Sequence, residues 1–177
     1  MAQIIPLFKR MAQKEPVKDS WEGRQEKFFS FSMSDKAFVV PAVDVAEVAA
    51  FSSLIEIPTD SEIVSGVVNV RGTVIPIINI RKRLGLPKDF AIDSKQTKVI
   101  YFKPKQDYFI GMLVDNIDFR LTEGIILPKS ALLGDSQKTN EVIMEEKDTN
   151  CRFQVFLIDD LVKPAEFEEV QKVLEAF

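Results

Sequence analysis

The residues Ile63 to Leu86, reading IVSGVVNVRGTVIPIINIRKRLGL, restrict the fold more than any other stretch of the chain. Two runs rich in β-branched side chains, Gly66 to Val70 and Thr73 to Ile80, are separated only by Arg71 and Gly72. Such runs favour a pleated, half-buried surface, and glycine supplies the positive φ of a tight reversal, so the stretch predicts a hairpin. Pro76 lacks a backbone donor, which places the second strand at an edge or beside a bulge there. After Ile80 the period changes. Asn79 can cap a short helix, Ile80 and Leu84 share one face, and Gly85 before Leu86 and Pro87 ends it. Asn69 and Gly72 suit turn chemistry. Arg71 is a cation in an apolar hairpin, and its fork of donors suits bonding several carbonyls at once and so locking the loop.

The totals remove several function classes. The chain has 177 residues, enough for about one domain with a sizeable core. Hydrophobic residues make up 46% and charged ones 28%, an ordinary globular balance. A net charge of −4 argues against non-specific nucleic-acid binding, which needs a basic field to neutralise phosphates. No apolar run approaches the roughly 20 residues of a spanning helix, and the first residues lack the apolar core of a signal peptide. There is no histidine, so the commonest general base and metal ligand are both missing. No phosphate-cradling glycine motif appears either. The single cysteine, Cys151, cannot form an internal disulfide and fits a reducing cytoplasm as an ordinary thiol.

Along the chain, residues 1–26 read as a tail in which Leu7, Phe8 and Met11 can share a helical face. That tail is either a plain terminus or a docking or membrane-surface peptide. From Lys27, Phe29, Phe31 and Met33 alternate with serines as a half-buried strand. Asp35 and Lys36 reverse it, and Ala37 to Val45 returns with an interruption at Pro41. Pro87 to Gln96 is a polar connection. Val99 to Phe102 and Tyr108 to Val114 form a further hairpin, followed by a strand or turn over Leu121 to Leu127 and a loop anchored by Leu132 and Leu133. Glu141 to Glu145 and Arg152 to Ile158 form the last hairpin. After Asp159 and Asp160, Pro164 opens a helix in which Phe167, Val170, Val173 and Leu174 share one face. Many short strands with frequent turns predict barrels. Arg81, Lys82 and Arg83 read as a patch for an acidic partner or as a solvated helix face.

The run Gly66-Val67-Val68-Asn69-Val70-Arg71-Gly72-Thr73-Val74-Ile75-Pro76-Ile77-Ile78-Asn79-Ile80-Arg81 resembles the central motif of the CheW family, the adaptor proteins of bacterial chemotaxis. That motif reads G-V-x-N-x-R-G-x-[IV]-I-P-[IV]-[IV]-D-[IL]-R, and Asn79 stands where Asp is usual. Phe38 to Val48 resembles the family's Y-G-I-D-I-x-x-V-x-E-I, and Ile110 to Asp115 its V-G-[ILM]-[IV]-V-D. The resemblance covers residues 27–163. Two departures stand out. The family's V-D-G-V-x-D-V becomes Val114 to Arg120, with arginine in place of the last aliphatic residue. Its Y-[IL]-x-G-[IL]-[GA] becomes Thr139 to Met144, without a glycine.

The resemblance implies a mainly β CheW-like fold: two packed five-stranded SH3-like barrels over residues 27–163, short helices, and a C-terminal helix over 164–177. It implies a strand, a helical turn and an exposed strand over Phe38 to Val48. The implied function is that of a non-catalytic cytoplasmic adaptor without cofactor or metal, located at receptor arrays. Its partners would be the regulatory domain of a CheA-type histidine kinase and the cytoplasmic tip of a chemoreceptor, with neither nucleic acid nor membrane insertion. A scaffold of another chemosensory system, for pilus motility or polar localisation, is the alternative. Val45, Glu47, Gly66 and Arg71 match receptor-facing positions, although the residues alone make Val45 core and Glu47 a solvated charge. The small size of Gly66 would let a receptor helix come close. Arg120 falls in the receptor groove, where an unpaired guanidinium is costly to bury.

Overall fold

The computed structural model describes residues 22–58, 61–81, 83–87, 95–103, 108–132 and 141–177. The alternation of phenylalanine and serine becomes β1 (Gln25–Met33), so Gln25 and Glu26 belong to a strand rather than to the tail. Residues 1–21, with the docking-peptide reading of Leu7, Phe8 and Met11, lie outside the described residues. β2 (Lys36–Pro41) stops at the proline, a single 3-10 turn (Ala42–Asp44) follows, and β3 (Val45–Ala50) leaves it. The central hairpin is β4 (Val64–Val70) and β5 (Thr73–Ile78). β6 (Lys98–Phe102), β7 (Ile110–Val114) and β8 (Asn116–Ile126) come next. Only Asp115 separates β7 from β8, so β8 is longer than the strand expected over 121–127. β9 (Val142–Glu146), β10 (Arg152–Val155), a short α1 (Ile158–Leu161) and α2 (Phe167–Glu175) complete the chain.

Among the described residues the ten strands form two five-stranded units. β1, β2, β10, β9 and β8 close into a barrel, while β3 to β7 form a second sheet in the order β3-β6-β7-β5-β4. The second sheet stays open between β3 and β4. The segment joining those strands fills the edge instead: Ile55 exchanges both backbone hydrogen bonds with Val67 on β4, at 2.8 and 2.9 Å. Pro76 lies inside β5, which is not an outer strand. It is tolerated because β7 pairs with β5 only at Ile77 and Ile78, while the register slip falls across the hairpin between Val64 and Gly66. Pro76 therefore sits just before the ladder that its missing donor would interrupt.

Three apolar clusters fix the packing. Phe28, Val39, Ile126, Met144 and Val155 form one cluster of the first barrel. Val68, Ile75, Ile77, Val99, Tyr101 and Leu113 cover one face of the second sheet. The largest cluster joins Phe31, Met33, Phe38 and Ile117 from the barrel to Val67, Ile78, Ile100, Phe102 and Met112 from the other face of the sheet. β6 and β7 are therefore buried on both faces, which is why they read as unbroken apolar runs. At roughly 1.5–3 kcal/mol for each fully buried large apolar side chain, this shared cluster is the main adhesive between the two units.

The C-terminal helix belongs to the same core. Val170 and Val173 are buried in the shared cluster. Glu166 pairs with Arg83, in the turn after β5, and accepts the Lys163 N–H at 2.7 Å. Ser61 donates to Glu169 at 2.9 Å. Burial pushes the Glu166 carboxyl up, but the Arg83 and Lys163 hydrogen bonds outweigh it and hold the pKa below the ordinary glutamate value. A depressed folded pKa gives stability that is complete above the unfolded value and is lost as the pH falls through the folded one. Acidification below about pH 4 should therefore speed amide exchange in α2 before the sheets open, and Glu166→Gln should remove that pH dependence. Exchange in α2 that tracks the sheets at every pH would contradict it.

Candidate partner-binding surface

Arg71 and Gly72 form the β4–β5 turn with φ of 52° and 86°. Positive φ at both central residues is the signature of the reversal that matches strand twist in a two-residue hairpin, and it normally selects Asn-Gly. The Gly72 N–H donates to Asn69 Oδ1 at 2.8 Å, so Asn69 and Gly72 do the turn chemistry. Arg71 does not lock the loop as expected. It is exposed, and its guanidinium makes no hydrogen bond or ion pair among the described residues. The asparagine beside it already satisfies the loop amide. A non-glycine residue in this conformation costs about 1–2 kcal/mol.

The other family-matched positions divide between two strands and a bulge. Val45 and Glu47 lie on β3 and Gly66 on β4, the two outer strands of the second sheet. Val45 is only 9% exposed and belongs to the shared core, as its residue type alone suggests. Glu47 is half-buried, and the β3–β6 register slips beside it. Its carboxylate lies close enough to Tyr101 to add to burial in pushing the phenol pKa up. Gly66 is buried, and its missing side chain makes room for its own chain. A Cβ there would lie 2.6 Å from the Ile55 carbonyl oxygen and 3.0 Å from Leu54 Cγ.

Arg120 is far more exposed than a groove residue, at 89% for the side chain. Phe29 pairs with Leu121 and Ser30 with Asp118, so Phe119 and Arg120 bulge out of the β1–β8 ladder. Within the bulge Arg120 Nη2 donates to Asp118 Oδ2 at 2.9 Å and Nε to both oxygens at 3.2 Å. In the chain alone the guanidinium is thus exposed and already paired within its own strand. Asp118 is correspondingly held below the usual carboxylate range by those hydrogen bonds. The bulge leaves Phe119 60% exposed, and Leu121 and Ile125 on β8 are exposed too, with the charged Glu123 between them.

The basic run after β5 also differs from its expected form. Arg81 is buried, with an ion pair to Asp115, and Arg83 is paired with Glu166; Lys82 lies outside the described residues. Among the described residues of the run, both arginines face carboxylates of other elements rather than standing as an unpaired basic patch. Asn79 does cap, but it caps a turn: its Oδ1 accepts the Arg81 N–H at 3.0 Å. Cys151 is an exposed free thiol before β10. Among the described residues, no group of His, Cys, Asp and Glu could hold a metal, and no helix is long and apolar enough to cross a membrane.

Against known proteins, the family model described as CheW-like domain matches residues 27–124. The chain belongs to the CheW-like domain family. The match runs from β1 into β8 and so takes in the whole second sheet. The chain is 29% identical over 126 residues to the chemotaxis protein CheW of Helicobacter pylori, covering 70% of this chain and 71% of that one. It is 28% identical over 102 residues to the chemotaxis protein CheW of Thermotoga maritima, covering 56% of this chain and 65% of that one. It is also 33% identical over 106 residues to protein PilI of Pseudomonas aeruginosa, covering 60% of this chain and 54% of that one. Among solved structures, the scaffolding protein TtCheW from Thermoanaerobacter tengcongensis shares the fold. The TM-score is 0.61 at 24% identity, over 79% of this chain and 94% of that one.

One departure from the CheW motif has a local explanation. Met144 occupies a position where the family pattern has a small residue, and it is fully buried in the barrel. Gly124, on the neighbouring β8 and diagonal to it, makes the room: a Cβ there would lie 2.0 Å from Met144 Sδ. The bulk lost on one strand is recovered on its neighbour, so the barrel stays filled.

Proposed function

We propose that this CheW-like domain is a non-catalytic chemotaxis adaptor that couples chemoreceptors to a CheA-type histidine kinase. It would act in the cytoplasm at receptor arrays by holding both partners in one geometry. The observation that carries the reading is Arg71. Its conformation costs the fold free energy, and among the described residues its guanidinium makes no hydrogen bond or ion pair that would offset the cost. A helical receptor tip that meets Arg71 and Glu47 at the rim of the second sheet supplies the missing partner, with Val45 and Gly66 supporting that rim from beneath. The exposed apolar side chains of Phe119, Leu121 and Ile125 on the first barrel suit the second partner, the kinase regulatory domain, because exposed large apolar residues grouped on one element are a feature of protein contacts. Arg120, held by Asp118, stands at their edge. Neither surface calls for a cofactor, and the identities to chemotaxis proteins named CheW support the assignment.

Arg71→Asn tests this reading. Asparagine adopts the left-handed region more readily, so the melting temperature should hold or rise. Affinity for a receptor tip should fall at least about tenfold, or 1.4 kcal/mol, while kinase binding stays unchanged. Tip binding at wild-type strength would sink the receptor assignment, and lost kinase binding with an unchanged melt would sink the division of surfaces. The 33% identity to protein PilI favours a second reading, a scaffold of another chemosensory system such as pilus motility or polar localisation. The kinase that co-purifies with the chain separates the two.

A further inference from the structure

We propose that Arg81, Asp115 and Ser34 form a latch that sets the angle between the first barrel and the second sheet, so that a partner on one unit is felt at the other. Arg81 follows β5 of the second sheet and is 2% exposed. Its Nη2 pairs with Asp115 Oδ1, and its Nη1 donates to Ser34 Oγ at 3.2 Å. Asp115 is the residue at which the chain passes from β7 in the sheet to β8 in the barrel. Its second oxygen accepts the Ser34 N–H at 2.6 Å, and its own N–H donates to the Ser32 carbonyl at 3.0 Å. Ser34 lies in the β1–β2 turn of the barrel. A side chain of one unit thus grips a turn of the other through the residue that connects them.

Two features make this more than local satisfaction of a buried charge. The attraction within the apolar cluster between the units is non-directional, whereas a planar guanidinium bonded to both Asp115 and Ser34 adds a fixed direction to the packing. Ser34 also has a φ of 54°, a conformation that glycine adopts freely and serine does not. A turn selected for its backbone alone would carry glycine. The serine adds a hydroxyl, and that hydroxyl is bonded by Arg81.

The proposal rests on the two-surface reading above only in its second half, and the experiment separates the halves. A spin label on the native exposed Cys151 in the barrel and another on Ala50→Cys at the exposed end of β3 report the distance between the units. The unaltered latch should give one narrow distance, and Arg81→Lys and Ser34→Gly should each lose it. Ser34→Gly relieves the turn, so its melting temperature should hold or rise, which keeps the test valid if Arg81→Lys folds poorly. A narrow distance retained in folded Ser34→Gly overturns the latch. With receptor tip and kinase regulatory domain added together, the unaltered protein should bind each more tightly in the presence of the other. Ser34→Gly should bind each alone with unchanged affinity and lose that mutual dependence. Mutual dependence that survives a broadened distance overturns the second half. Failure of the unaltered protein to bind either partner, with distances behaving as expected, refutes the adaptor reading and leaves the latch standing.

Discussion

Asp115→Ala should lower the unfolding free energy by about 3 kcal/mol and the melting temperature by about 10 °C, measured by urea titration and calorimetry. The substitution takes the carboxylate from a guanidinium that is almost wholly buried, and it strips the Ser34 N–H of its acceptor. A buried cation that loses a counter-charge has less to set against its desolvation cost. Removing both charges together is a different case. The double variant Arg81→Met with Asp115→Ala should recover much of the loss, because an apolar side chain of similar length satisfies the same pocket. A double variant less stable than Asp115→Ala alone would show that Arg81 gains most of its stabilisation elsewhere.

Gly66→Ala should cost a similar amount, on the order of 3 kcal/mol, through overpacking at a backbone contact. The neighbour that its Cβ meets first is the Ile55 carbonyl oxygen, which accepts the Val67 N–H at 2.9 Å. A flexible side chain could turn aside, but a paired carbonyl cannot without opening the bridge that covers the edge of β4. The loss should appear as fast amide exchange at Val67 and an earlier melt, with receptor-tip affinity little changed at temperatures where the variant stays folded. A wild-type melt combined with lost tip affinity would instead make Gly66 a direct contact.

The parts of the fold that were legible are those whose signals are local. The hairpin around Arg71 and Gly72 announces itself because turn residues and β-branched strands are adjacent in sequence. β6 and β7 read as strands because burial on both faces leaves unbroken apolar runs, Val99 to Phe102 and Ile110 to Val114. The place of Arg81 was not legible. Within Arg81, Lys82 and Arg83 it looks like one of three solvated cations, and its partners lie 34 residues ahead and 47 behind. Nothing in its own neighbourhood distinguishes it. Arg120 shows the converse. Its partner Asp118 is two residues away and could have been paired from sequence, whereas the two-residue bulge that exposes it follows from the β1–β8 register, which no local pattern states. The apolar residues at 119, 121 and 125 were visible too. Which side of β8 they face depends on which side the barrel closes around, and a periodic pattern does not state that.

Because β3 to β7 are inserted between β2 and β8, the two units cannot mature in the order in which their residues leave the ribosome. β1 and β2 are made first, yet β2 must wait for β10, its parallel neighbour, from near the end of the chain. All strands of the second sheet are available by Val114. At a synthesis rate of about 5–20 residues per second, the inserted sheet has seconds in which to fold while the barrel that frames it is unfinished. The nascent chain therefore carries an early hairpin with both edges unpaired, β1 waiting for β8 and β2 for β10, which is the kind of surface that invites mispairing. The burial of Phe31 and Phe38 against the inserted sheet gives that hairpin somewhere to rest. In a newly made chain, the unit that arrives second serves as the template on which the first is completed.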